Sequence, residues 1–228
     1  MLLRDADDGI EVFMLRRTTR AAFAGGMYVF PGGKVDEADG RGDPGYVIAA
    51  IRECFEEAGV LLATDAQGIM IADGHPALAR RHAVHDGTIE LLELCREHQL
   101  RPATPGLVWV SRWITPIGES SRRFDTRFFI AVAPPSQTSR HDDNETIAST
   151  WIRPRDALQR EADGDLTMML PTIKSLEYLG LHRDSASVMA SARRLERPVP
   201  IEPRLRRNPA GRISGVSLPG DDDYADLV

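Results

Sequence analysis

The stretch Arg-Glu-Cys-Phe-Glu-Glu-Ala-Gly-Val at residues 52–60 determines how the rest of the chain is interpreted. It forms the second half of a predicted helix. Asp43 followed by Pro44 is typical of a helix start, as the N-cap and the first-turn proline. Gly59 is typical of a C-terminal cap, so we expect the helix to end at Ala58.

The two faces of this helix differ in chemistry. At about 100° per residue, Glu53, Glu56 and Glu57 fall within an arc of about 100°, with Arg52 beside them. Apolar side chains occupy a wide opposite face that can pack on a sheet. Neighbouring carboxylates repel one another unless a cation lies among them, and oxygen-rich clusters of this kind suit Mg²⁺ or Mn²⁺. For an acidic helix taken alone, the alternative is a solvated face with an Arg52–Glu56 ion pair.

The segment around this helix resembles the signature of the Nudix hydrolase family. That signature is a glycine, five residues, a glutamate, seven residues, and then Arg-Glu-aliphatic-any-Glu-Glu-any-Gly-aliphatic. Residues 52–60 match its second half, with Cys54 in the aliphatic position, and Gly33 matches the opening glycine. Asp39 stands where the first glutamate is expected, and 12 residues rather than seven separate it from Arg52. The motif therefore contains a five-residue insertion.

The resemblance implies roles for individual residues. The three helix glutamates and the carbonyl of Gly33 would bind the metal, and Arg52 would hold the glutamates in position by a salt bridge. One glutamate would also deprotonate the attacking water. Glu145 is a further candidate for metal binding or for the base, with an ordinary loop carboxylate in the acidic run 142–145 as the alternative. Gly32, in the same turn as Gly33, is assigned to substrate binding.

Segments outside the motif are similar to the branch of the family that contains a peroxisomal coenzyme A diphosphatase; they lie at residues 113–116, 122–129 and 218–221. Coenzyme A-specific members also carry two arginines and a glycine upstream of the Phe-Pro-Gly-Gly turn. Arg17 and Gly26 fit the first arginine and the glycine, whereas Ala22 holds the second arginine position, with Arg20 two residues away. Because arginine binds a 3′-phosphate through paired hydrogen bonds, the half-present motif weakens the case for coenzyme A.

The function implied by the resemblance is metal-dependent hydrolysis of the diphosphate linkage in a nucleoside diphosphate derivative, by water attack at phosphorus. Coenzyme A or acyl-coenzyme A is one substrate class, and NADH or ADP-ribose is the alternative. A second hypothesis is a Nudix-fold sensor that binds a nucleotide without hydrolysing it. Such sensors usually lose the motif glutamates, which this chain retains.

The implied fold is α/β: a Nudix α/β/α sandwich with a mixed sheet, as one domain over residues 1–228. We expect a helical insertion at about 64–105 and a C-terminal helical extension at about 155–228. The hydrophobic pattern predicts strands at 10–16, 107–115, 124–132 and 151–152, and helices at 155–162, 171–179 and 185–196.

Composition narrows the remaining function classes. The 228 residues include 28 Lys plus Arg and 34 Asp plus Glu, a net charge of −6 without a basic block, which disfavours nucleic-acid binding. The sequence lacks an apolar run of about 20 residues and a signal-peptide pattern, so we expect a cytoplasmic protein without membrane contact. Cys54 and Cys95 are expected to be reduced, packed thiols. The helices at 75–100 and 171–196 and the acidic tail at 221–223 suggest a homodimer or a partner protein as an additional hypothesis.

Overall fold

A computed structural model describes residues 1–19, 24–120, 122–142 and 146–227. The described helices are α1 (Gly42–Ala58), α2 (Arg81–His85), α3 (Leu91–Glu97), α4 (Pro154–Ala162), α5 (Leu170–Gly180) and α6 (Ser185–Ala192). The described strands are β1 (Leu2–Ala6), β2 (Gly9–Arg17), β3 (Tyr28–Val29), β4 (Ala63–Thr64), β5 (Arg101–Pro102), β6 (Val108–Ile114), β7 (Asp125–Val132), β8 (Thr146–Ile152), β9 (Pro200–Ile201), β10 (Arg204–Arg207) and β11 (Ile213–Ser217). Contacts divide the chain into two compact units. Unit 1 comprises Met1–Val108 and Ile130–Arg193, and unit 2 comprises Trp109–Phe129 and Arg194–Val228.

The sheet of unit 1 is mixed, as the sequence predicts. Strand β2 pairs antiparallel with β1, β3 and β8, while β1 pairs in parallel with the end of β7, where Leu2 faces Ala131. Because β2 is paired along both edges, its backbone groups are satisfied and its side chains can be buried on both faces. All residues from Phe13 to Leu15 are accordingly buried.

Helices cover both faces of this sheet. Alternation along β2 sends Phe13 and Leu15 to one face, where they join a cluster with Ile51 and Phe55 of α1. Residues on the other face of β2, such as Val12, are equally buried. Helix α4 contacts β2 and α6 contacts β1. The predicted α/β/α sandwich with a mixed sheet is therefore confirmed.

Helix α1 begins two residues earlier than the sequence predicts. Arg41 is at the N-cap position and Gly42 has a φ of +65°, a conformation that glycine adopts without a Cβ clash. Asp43, predicted as the N-cap, lies in the first turn, where its negative charge still favours the helix dipole. The predicted end is confirmed, because Gly59 is left-handed at φ +72° and donates its N–H to the carbonyl of Phe55.

The segment predicted as a helical insertion contains α2, α3 and a 3-10 helix at Pro76–Arg80. Strands β4 and β5 pair antiparallel at its base, with Ala63 opposite Pro102. The helical spacing identified the buried face of α3, since Leu94 and Cys95 are packed in the core of unit 1. The pairing of β4 with β5 brings the two ends of the segment together.

The tail differs from the predicted helical extension. Helix α6 ends at Ala192, four residues before the predicted end, and strands follow. In unit 2, β9 pairs in parallel with β6 and β10 forms a hairpin with β11. Asp223, in the acidic run 221–223, accepts hydrogen bonds from Arg206 and from the Ser217 hydroxyl. Within the described residues, no helix has the length and apolar character needed to span a bilayer.

Candidate active site

Arg52 is the centre of a buried network of charges in unit 1. Its Nε donates to Asp39 Oδ1 at 3.0 Å, and its Nη2 donates to Asp39 Oδ2 at 3.0 Å. Its Nη1 donates to Glu53 Oε1 at 3.0 Å and to Glu56 Oε2 at 3.2 Å, while Nη2 also reaches the carbonyl of Lys34 at 2.7 Å. Helix α1 supplies three of these residues, and the loop before it supplies the other two.

The carboxylates of this network outnumber its guanidinium. Burial raises the pKa of Glu53 to about 7, although the Arg52 guanidinium opposes the shift. Burial also raises the pKa of Glu56, again against the effect of Arg52. Both shifts mean that negative charge at these positions is under-compensated by the residues around them. A cation placed among the carboxylates would lower both pKa values.

The glycine turn at residues 32–33 lies directly against the helix glutamates. The Gly32 N–H donates to Glu57 Oε2 at 2.9 Å, and Glu57 is buried. A Cβ added at Gly33 would lie 2.7 Å from Glu53 Oε2 and nearer still to Oε1, which is closer than real Cβ contacts allow. The turn therefore requires glycine at position 33 so that the Glu53 carboxylate can approach the backbone.

The donor chemistry of these residues fits a divalent cation. Three carboxylates and a backbone carbonyl are oxygen ligands of the kind that Mg²⁺ and Mn²⁺ take. Among the described residues, however, no group of three or more His, Cys, Asp or Glu side chains is already arranged to hold an ion. Arg52 pairs with Glu53 and Glu56, and Gly32 holds Glu57, so the carboxylates would need to turn to bind a metal.

A family model described as the NUDT19 Nudix domain matches residues 41–179, more than half of the chain. The chain belongs to the Nudix hydrolase family. Relatives from several vertebrates carry the name acyl-coenzyme A diphosphatase NUDT19. The one from Xenopus laevis is 27% identical over 65% of this chain and 54% of its own length. The one from Gallus gallus is 26% identical over 73% of this chain and 60% of its own length.

A putative Nudix hydrolase 7 from Caenorhabditis elegans is 29% identical over 76% of this chain and 57% of its own length. This Nudix chain therefore spans little more than half the length of these curated relatives. Among solved structures, a NUDIX hydrolase from Alicyclobacillus acidocaldarius superposes with a TM-score of 0.72 at 28% identity. The match covers 83% of this chain and 92% of the other. It supports the family fold over most of the described residues.

The two residues that this Nudix chain retains from the coenzyme A motif, Arg17 and Gly26, lie at one end of β2. The Gly26 N–H donates to the Arg17 carbonyl at 3.2 Å, and Gly26 is left-handed at φ +77°. Arg20 and Ala22, which decide whether a second arginine is present, lie outside the described residues, and so does Glu145. The roles of Arg17, Gly26 and Glu145 therefore stay predictions.

Two contacts of this Nudix site had no counterpart in the sequence reasoning. The sequence identifies Asp39 only as an aspartate in a glutamate position. In the structure, both carboxylate oxygens of Asp39 accept hydrogen bonds from Arg52. Arg81 of α2 donates from Nε to the Glu56 carbonyl at 2.9 Å. The position of Asp39 in the motif is the sequence feature that could have identified it. No sequence feature identifies Arg81, because it donates to a backbone carbonyl and every residue has such a carbonyl.

Proposed function

We propose that this protein is a metal-dependent hydrolase that cleaves the diphosphate linkage of a nucleoside diphosphate derivative by water attack at phosphorus. The observation that carries the proposal is the buried network in which the single guanidinium of Arg52 pairs with Asp39, Glu53 and Glu56. Burial of that much negative charge is unfavourable unless a cation joins it. In the Nudix signature, as in this chain, a glycine turn comes first and the helix with the glutamates follows it.

The metal site would use Glu53, Glu56, Glu57 and the carbonyl of Gly33. A bound Mg²⁺ or Mn²⁺ would neutralise phosphate oxygens and make water a stronger nucleophile. Arg52 fixes the positions of Glu53 and Glu56 through Nη1, which limits the number of ways in which the carboxylates can turn. The Gly32 N–H does the same for Glu57.

Acyl-coenzyme A or coenzyme A is the substrate class that we propose first. Relatives in frog and chicken carry the name acyl-coenzyme A diphosphatase, and the chain shares the NUDT19 Nudix domain with them. Arg17 and Gly26 retain half of the coenzyme A motif, and we propose Arg17 as the phosphate-binding residue of that half.

A mass-spectrometric turnover panel tests the proposal. It would hold coenzyme A, acyl-coenzyme A, NADH, ADP-ribose and a nucleoside triphosphate, with Mg²⁺ or Mn²⁺. Release of 3′,5′-ADP from coenzyme A is the expected result. Glu57→Gln should lose at least about 100-fold in turnover while the protein remains folded. Glu93→Gln, which changes an exposed glutamate of α3, should retain full activity.

The outcomes separate the hypotheses. Cleavage of NADH or ADP-ribose alone would keep the mechanism and discard the coenzyme A assignment. Full activity of Glu57→Gln would refute the metal-ligand assignment. Nucleotide binding by calorimetry without turnover in either metal would favour the sensor instead.

A further inference from the structure

A cavity of ≈ 140 Å³ lies between α1 and the segment from the end of α2 to the start of α3 in unit 1. One wall carries Asp39, Arg52 and Glu56 of the charged network. The opposite wall comes from residues 84–92 and includes His85 and Ile89. The cavity therefore joins the candidate metal-binding face of α1 to the helical segment for which the family motif assigns no function.

Arg81 links α2 to the C-terminal end of α1 by a hydrogen bond. Its Nε donates to the Glu56 carbonyl at 2.9 Å, and its Nη1 donates to the His141 carbonyl at 3.3 Å. A Cβ at Gly59 would lie 3.0 Å from Nη1, so the glycine cap leaves room for the guanidinium. A cation at the carboxyl end of a helix is favoured by the helix dipole. Arg81 thus fixes α2 relative to the backbone of Glu56.

His85 is the cavity side chain with hydrogen-bonding capacity left over. Its Nδ1 is buried and has no hydrogen-bond partner among the described residues. Arg52 is the other described donor side chain of the cavity lining, but its N–H groups already serve Asp39, Glu53, Glu56 and a backbone carbonyl. A buried polar atom without a partner is unfavourable, and a turn of the His85 ring that brings Nδ1 to the cavity would let a ligand there supply the partner.

The size of the cavity selects the part of a substrate that fits. At about 30 Å³ per water molecule, its volume equals about five waters. Pockets for drug-sized ligands are larger, at about 300–1,000 Å³. A phosphoryl group fits such a space, whereas a nucleoside does not. The carboxylates on the α1 wall mean that an anion enters only together with the cation of the proposed function.

We propose that α2 forms a wall of the active site, in which His85 donates a hydrogen bond to a phosphoryl oxygen of the diphosphate substrate. Arg81 is a positioning residue that holds His85 in place through its contact with the Glu56 carbonyl. The inference rests on the proposed function, because the substrate must carry a diphosphate and arrive with a divalent cation.

Calorimetric binding of the α,β-methylene analogue of ADP, which resists hydrolysis, tests this proposal in the presence of Mg²⁺. His85→Ala should weaken the Kd about tenfold or more, which corresponds to about 1.4 kcal/mol. His85→Asn should recover part of the loss, since its amide N–H is close to the position of Nδ1. His82→Ala is the matched control, because the exposed His82 ring stacks on His85 in the same helix, with centroids 6.2 Å apart.

Arg81→Lys extends the test to the positioning residue. Lysine keeps the charge but cannot reach both carbonyls in the same way. Its effect on Kd should nearly vanish in the His85→Ala background, because both residues act through one contact. Fully additive losses would refute the role of Arg81. Melting curves of each variant identify losses that come from unfolding, and the His85→Asn variant decides the case if His85→Ala is unstable.

The binding test of His85 can be judged separately from the test of the proposed function. If the wild-type protein binds the analogue but hydrolyses no substrate, hydrolysis is refuted, and the ratio of the His85→Ala and His82→Ala Kd values still decides this proposal. Equal Kd values for the wild type and His85→Ala would overturn it. Absence of binding by the wild type with Mg²⁺ or Mn²⁺ would overturn both.

Discussion

Gly33→Ala is the substitution that tests most directly whether the glycine turn sets the position of Glu53. The added Cβ would lie 2.7 Å from Glu53 Oε2 and nearer still to Oε1, whereas ordinary contact begins at 3.4 Å, so the carboxylate must retreat by about 1 Å. The backbone at Gly33 does not have a positive φ, so alanine introduces no backbone strain there. The effect is therefore confined to the Glu53 side chain.

The expected magnitude follows from the contacts that Glu53 makes. Its retreat weakens the hydrogen bond from Arg52 Nη1, now 3.0 Å, and charged hydrogen bonds contribute about 1.5–3 kcal/mol to stability. Replacing glycine by alanine restricts the unfolded chain, which offsets about 0.4–1 kcal/mol of that loss in stability. The free energy of unfolding should thus fall by only about 1–2 kcal/mol. A displacement near 1 Å at a reacting site lowers the rate about 100-fold, which is the loss in kcat/KM that we expect.

The assay pairs turnover with urea unfolding for Gly33→Ala, Glu53→Ala and the double variant. Gly33→Ala should lower kcat/KM alone but add almost nothing to Glu53→Ala, because both act on the same carboxylate. Gly106→Ala is the control, since a Cβ there meets no atom within 4 Å and the position is exposed. Undiminished turnover of Gly33→Ala, or an equal loss in the Glu53→Ala background, would refute the reasoning.

Two further predictions concern the charged network. Burial raises the pKa of Glu53 from 4.5 to about 7, so the folded, metal-free protein binds a proton that the unfolded chain releases. Its stability should therefore fall as the pH rises from about 4.5 to 7, and Glu53→Gln should flatten that slope in denaturant titrations with a chelator; an unchanged slope would contradict the pKa shift. Arg52→Met should lower the free energy of unfolding by about 3–5 kcal/mol, because it leaves buried carboxylates without their cation. Arg80→Met, which removes an exposed pair with Glu97, should change it by less than about 1 kcal/mol, and equal losses would show that burial is not the cause.

The sequence predicted the features that depend on local chemistry. Helix α1 and its end at Gly59 follow from apolar spacing and from the preference of glycine for a left-handed cap. Strand β2 follows from an unbroken apolar run, which suits a strand buried on both faces. The tail strand β10 was missed because three of its four residues are arginines, and only Leu205 is buried. A single apolar position does not establish a period.

Residues that act through distant backbone groups could not be predicted in this way. His82 and His85 have the same identity, lie in the same short helix and are three residues apart, so the sequence gives no reason to prefer one. Docking of α2 through Arg81 places His85 on the cavity wall and leaves His82 exposed. The motif therefore identifies the chemistry that α1 shares with the family, while tertiary packing decides which residue of the helical segment faces the site. Substrate selection is accordingly expected to change with substitutions in α2 that leave every residue of the motif intact.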